Sequence, residues 1–239
     1  MAAVIVRQIN HGFTYQRKVK VMQIVEDKAQ KIDQHEMKNR WWKSNEIEVL
    51  RYPLPVGDYI LVDEKVRELI ERKQKRNVEI KKMDFVGTYK VCVDTKKDIQ
   101  ELIGDICGKQ HERFRDECMF AQNNGIKLYI LVENIALTIN ERKGIYSPYI
   151  DSLDNLHRFV NPRLFIWRGG KQLYPTATKG ITLKKACITM KNKYGVEFIF
   201  CKPHQAAEKV IELLATNETL DINKKEKEFY GRVVSSGSK

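Results

Sequence analysis

The chain has 239 residues, 42% apolar and 31% charged, a globular composition long enough to bury a core without staples. Forty-three Lys and Arg against thirty-one Asp and Glu leave a net charge of +12, which suits a polyanionic partner. No apolar run nears the roughly 20 residues that span a bilayer, and Arg7 interrupts the N-terminal MAAVIVRQIN, so membrane and secreted classes are disfavoured and a cytoplasmic location is expected.

Residues 1–19 read as a basic N-terminal extension, 20–216 as one domain and 217–239 as a polar, Lys/Glu-rich tail. Within the domain, strand patterns run over 20–25, 47–50 and 59–62, with a helix over 34–44 between the first two. Residues 63–88 are a charged insertion with few large apolar residues, read as a solvated helix or hairpin that holds more Lys and Arg than acids. Strand character returns over 90–95 (KVCVDT). Ile99, Leu102, Ile103, Ile106 and Cys107 then form one helical stripe, with Gly104 inside it, explained by close packing on the sheet. A second helix over 109–122 stops at Asn123-Asn124-Gly125, and the continuous apolar run 127–132 reads as a strand buried on both faces. The remainder, 135–216, completes the domain: loop over 134–150, short helix over 152–159, the LFIWR segment at 164–168 with Trp167 in the core, helix over 181–194, strand over 197–201 and helix over 203–215. Alternating strands and helices predict an α/β fold with a partly parallel sheet.

The five cysteines (Cys92, Cys107, Cys118, Cys187, Cys201) are widely spaced without a CxxC pair, which argues against zinc and disulfide frameworks and for small buried hydrophobes. The informative chemistry is Val91-Cys92-Val93-Asp94-Thr95-Lys96. Asp94 and Lys96, two apart on a strand, share a face. A carboxylate and an ammonium at a strand end are costly to bury unless paired or used. Asp58, in Pro55-Val56-Gly57-Asp58-Tyr59, opens a neighbouring strand. Two aspartates and the Thr95 carbonyl suit a hard cation such as Mg²⁺ or Mn²⁺, which keeps several waters.

An acid followed by D/E-x-K on the next strand resembles the PD-(D/E)XK nucleases. Three further strings resemble the XPF-type structure-specific nuclease domain: Leu54-Pro-Val-Gly-Asp-Tyr59 as its GDY element, VDTKKDIQ (93–100) where the family carries E-R-K-x-x-x-D, and Ile24-Val25-Glu26-Asp27 as its first acidic element. HERFRDEC followed by KLYILVEN matches the family's helix and strand, and the later part resembles small stand-alone bacterial and phage members. The resemblance implies a restriction-endonuclease-like mixed sheet flanked by helices and a metal-dependent DNA endonuclease, structure-specific in the family and at work in DNA repair or recombination.

On this resemblance Asp58, Asp94 and the Thr95 carbonyl are the expected metal ligands, Lys96 orients or deprotonates the attacking water, and Asp27 with Glu101 or Gln100 completes the shell. Lys97, Lys109, Arg113 and Arg115 are the expected phosphate contacts. The chain departs from the family at Asp94 for Glu, Thr95 for Arg, Gln100 for Asp, and Ala29 and Gln30 for Arg and Glu. Larger relatives dimerise through a helix-hairpin-helix module for which the stretch after 217 is too short; DNA and a second copy of the chain are the expected partners. A literal Glu71-Arg72-Lys73 triplet lies in the charged insertion without a preceding strand and reads as an exposed helix face. The rival functions are a catalytically silent nucleic-acid-binding scaffold and an RNase.

Overall fold

The computed structural model describes residues 21–31 and 36–215; the expected N-terminal extension and tail lie outside the described residues. Six strands form the central sheet: β1 (Gln23–Asp27), β2 (Glu48–Tyr52), β3 (Tyr59–Leu61), β4 (Val91–Lys96), β5 (Lys127–Glu133) and β10 (Glu197–Cys201), ordered β10-β5-β4-β3-β1-β2. β10, β5 and β4 run parallel, as do β1 and β2, while β3 is antiparallel to both its neighbours. The sheet is therefore mixed and mostly parallel, as the α/β pattern predicts.

Alternation along the strands sorts the core into two layers. Cys92, Leu128, Ile130, Val132, Phe198 and Phe200 face α3 (Ile99–Cys107), α4 (His111–Asn123) and α5 (Gly180–Tyr194), meeting Leu102, Phe114 and Leu183. Val91, Val93, Ile24, Tyr59 and Leu131 face the other way, against Trp42 of α1 (Glu36–Ser44) and Val210 and Leu214 of α6 (206–215). Trp42 donates its indole N–H to the Ala207 carbonyl at 3.2 Å and so joins α1 to α6.

Four expectations change. The charged insertion holds α2 (Glu64–Lys75), capped by Asp63, and it is amphipathic: Val66, Leu69 and Ile70 are buried, and Ile80 and Phe85 join the same core. The segment 134–150 contains a hairpin, β6 (Leu137–Asn140) with β7 (Ile145–Ser147). Its base is closed by Asn134, which donates to the Ile150 carbonyl at 2.9 Å and accepts from the Ile150 N–H at 2.8 Å. Trp167 is 61% exposed, on a second small hairpin, β8 (Trp167–Arg168) with β9 (Lys171–Gln172). A Cβ at Gly104 would meet nothing within 4 Å, so packing on the sheet does not account for that glycine. Four cysteines are buried and Cys107 is exposed.

Candidate active site

The carboxyl ends of β1, β4 and β5 and the amino end of β3 converge on one rim of the sheet, the place where open α/β sheets leave a crevice. Asp27, Asp58, Asp94, Lys96 and Glu133 all line a cleft of ≈ 780 Å³ there, with α4 supplying Arg113, Glu117 and Phe120. The backbone brings the acids together. Asp58 N–H donates to the Val93 carbonyl at 2.9 Å, and Asp27 N–H donates to the Asp58 carbonyl at 2.7 Å.

Asp58 is held from both sides. Its Oδ2 accepts the Thr95 backbone N–H at 2.8 Å and the Thr95 hydroxyl at 2.7 Å, and its Oδ1 accepts the Gln30 amide. The Thr95 side chain, an Arg in the family pattern, thus fixes the neighbouring acid. Gln30 donates where a Glu would repel. Gly57, just before Asp58, has φ +74°, and its N–H donates to Glu117 Oε1 at 3.0 Å.

Lys96 is 5% exposed and lies 2.8 Å from Asp94 Oδ2 and 2.7 Å from Asp105 Oδ2, with its ammonium 5.5 Å from the Phe114 ring centroid. The one ammonium thus sits between two buried carboxylates, Asp94 and Asp105, and is the cation that both of them face. Burial pushes the Asp94 carboxyl up to about 7 against the pull of Lys96, and burial with the Asp94 charge pushes Glu117 to about 7. Burial likewise raises Asp58. Burial opposes the charge on Lys96, but Asp94, Asp105 and Asp58 outweigh it and its pKa is raised.

The expected residues separate into three groups. Asp58, Asp94, Thr95 and Lys96 come together. Asp27, Lys97, Glu101 and Arg113 line the same cleft with other partners: Asp27 Oδ1 accepts the Leu54 N–H at 3.0 Å, and Glu101 Oε2 accepts the Lys97 N–H at 2.9 Å just before Asp98, the cap of α3. Arg113 lies 3.5 Å from Asp105. Lys109 is exposed in the turn before α4, Arg115 is paired with Asp116 at 2.9 Å, and neither lines the cleft. Gln100 turns to Asn161 Oδ1 at 3.0 Å, away from the acids. Glu26 faces the opposite layer, taking the Tyr59 hydroxyl at 3.1 Å beside Arg51.

Sequence reading missed Asp105, Glu117 and the buried Lys38–Glu133 ion pair. The one signal for Asp105 is an acid beside the apolar stripe of α3, three residues after Leu102, since a carboxylate buried there needs a cation. The hard carboxylate donors of Asp58 and Asp94, which line one cleft, fit a magnesium or manganese ion that keeps part of its water shell. Among the described residues no three His, Cys, Asp or Glu side chains form a ready-made metal cluster, so a fit relies on two carboxylates with backbone or water oxygens.

The Glu71-Arg72-Lys73 triplet sits on α2, with Lys73 paired to Asp84 at 2.9 Å. Among the described residues no helix is long and apolar enough to cross a membrane.

Among solved structures, the chain is similar to XPF from Aeropyrum pernix, with a TM-score of 0.44 and 13% identity over 90% of this chain and 73% of that one. It is also similar to XPF from Aeropyrum pernix in complex with DNA, with a TM-score of 0.44 and 15% identity over 84% of this chain and 66% of that one. No curated protein matches it. The ERCC4 domain model matches residues 30–214, which take in every strand of the central sheet except β1, and by that match the chain belongs to the ERCC4 domain family, the XPF-type nuclease domains its motifs resemble.

Proposed function

We propose that the protein is a divalent-metal-dependent DNA endonuclease. The observation that carries this reading is the buried set Asp58, Asp94 and Lys96 opening into a cleft. Asp94 and Lys96 are 4% and 5% exposed, and they sit at a strand end where an apolar residue would pack at lower cost. Asp58, Asp94 and the Thr95 carbonyl would hold Mg²⁺ or Mn²⁺, and Glu117, which lines the same cleft, would add a water-mediated contact. The ion supplies charge neutralisation at phosphate and a more acidic bound water.

The chain's own residues do the rest. Thr95 and Gln30 fix the Asp58 carboxylate before substrate arrives. Lys96, with its raised pKa, stays an ammonium, so it offsets charge building on the phosphate rather than removing a proton from water. Lys97 and Arg113 at the cleft mouth position the backbone of the polyanion.

The test is incubation of wild type and Asp94→Asn with duplex, branched and single-stranded DNA and with RNA, in Mg²⁺, Mn²⁺ and EDTA. Metal-dependent DNA cleavage lost in Asp94→Asn is the expected result. DNA binding without cleavage in either metal would make the protein a scaffold, and cleavage confined to RNA would make it an RNase.

A further inference from the structure

We infer that the β8–β9 hairpin and its flanks form a stacking platform for unpaired DNA bases, a second nucleic-acid subsite beside the cleft; the inference rests on the DNA reading above. Trp167 is 61% exposed and Tyr174 45%, with Ile166 and Leu173 at 43% each. Water is a poor neighbour for four such side chains on one short hairpin. The hairpin is nonetheless well built: Trp167 pairs with Gln172, Arg168 with Lys171, and the Leu173 N–H donates to the Ile166 carbonyl at 2.9 Å.

Charge identifies the occupant. Residues 155–196 hold nine Lys and Arg and no Asp or Glu. Arg163, Arg168, Lys171 and Lys179 are exposed, and among the described residues none has an ion-pair partner. The Arg163 guanidinium lies 5.9 Å from the Tyr174 ring centroid, and Arg168 and Lys171 flank the Gly169-Gly170 tip. Aromatic faces interleaved with unpaired cations suit a strand that offers both bases and phosphates. A duplex hides its base faces in the stack, so the rings call for unpaired nucleotides.

Position links the platform to the cleft. Asn161 accepts from Gln100 at 3.0 Å and donates to the Thr178 carbonyl at 2.9 Å, which pins both ends of the segment to the first turn of α3. The same turn carries Glu101, with Lys97 just before it, and both line the cleft. A strand stacked on the hairpin can therefore continue past Lys97 and Glu101 into the cleft.

The experiment measures fluorescence anisotropy in EDTA with labelled oligothymidine, oligouridine and a blunt DNA duplex. Trp167→Ala and Tyr174→Ala should each weaken oligothymidine binding by about five- to 150-fold, the range for one lost base stack, with duplex binding unchanged. Trp167→Phe should keep the affinity but lose the quenching of indole emission that oligothymidine causes in wild type. Wild-type oligothymidine affinity in Trp167→Ala, or an equal loss on strand and duplex, would overturn the platform. Tighter binding of oligouridine than of oligothymidine would overturn its assignment to DNA. If wild type cleaves duplex DNA in Mn²⁺ while Trp167→Ala binds oligothymidine normally, the platform falls and the nuclease reading stands; if wild type binds neither DNA, both fall.

Discussion

A Cβ at Gly57 would stand 2.8 Å from the Cys92 Cβ, at a backbone φ of +74° that side chains rarely adopt. Gly57→Ala must therefore move β4 against β3, where Asp58 and Asp94 sit. A loss of about 2–4 kcal/mol in urea unfolding with reduced cleavage is expected; wild-type stability would mean the turn is not under constraint. Asp94 carries a pH dependence. Its carboxyl rises from 3.8 to about 7 on folding, so the folded state holds the proton more tightly than the unfolded chain. The contribution of this carboxyl to the stability of the metal-free protein is then fully present below the unfolded value and is lost as pH rises through about 7. Asp94→Asn removes that loss, so its stability relative to wild type should be greater at pH 8 than at pH 5 by about 2 kcal/mol; an equal difference at both pH values would contradict the burial argument. Period-two alternation made the Asp94–Lys96 contact legible from sequence. Glu117, Asp105 and Gln30 were not, because their approach depends on helix rotation and on contacts far apart in the chain, such as Gly57 with Glu117.

At the scale of elements, α2 shows how composition can mislead. Its twelve residues include only three large apolar side chains, yet Val66, Leu69 and Ile70 fall at i, i+3 and i+4 and all are buried. The charged residues dominate the count while the stripe sets the packing. Leu69→Ala should cost about 2–4 kcal/mol in chemical denaturation. A change under about 0.5 kcal/mol, the usual effect at an exposed site, would show that α2 does not dock. The β6–β7 and β8–β9 hairpins were hard to see for a different reason: strands of two to four residues carry too little alternation to separate from loop. The long parallel strands β4 and β5 were legible because burial on both faces leaves an unbroken apolar run.

For the whole molecule, the α/β class and its partly parallel sheet followed from the order of strands and helices and the mixed sheet with flanking helices from the family resemblance, whereas the assignment of each helix to a face had to come from the structure. The net charge of +12 predicts DNA affinity that falls linearly with salt on logarithmic axes. An affinity flat between about 50 and 200 mM salt would remove the electrostatic part of the account. The central claim, that the cleft at the end of β4 performs metal-dependent phosphodiester cleavage, is tested most directly by single-turnover cleavage of DNA in Mn²⁺ by wild type, Asp94→Asn, Lys96→Ala and, as control, Lys73→Ala on the far triplet of α2. The account predicts a loss of about 10² to 10⁴-fold for Asp94→Asn and for Lys96→Ala, with DNA binding retained, and an unchanged chemical step for Lys73→Ala. Wild-type cleavage by Asp94→Asn, or a Lys73→Ala variant that binds DNA normally and does not cut it, would place the active site elsewhere in the molecule.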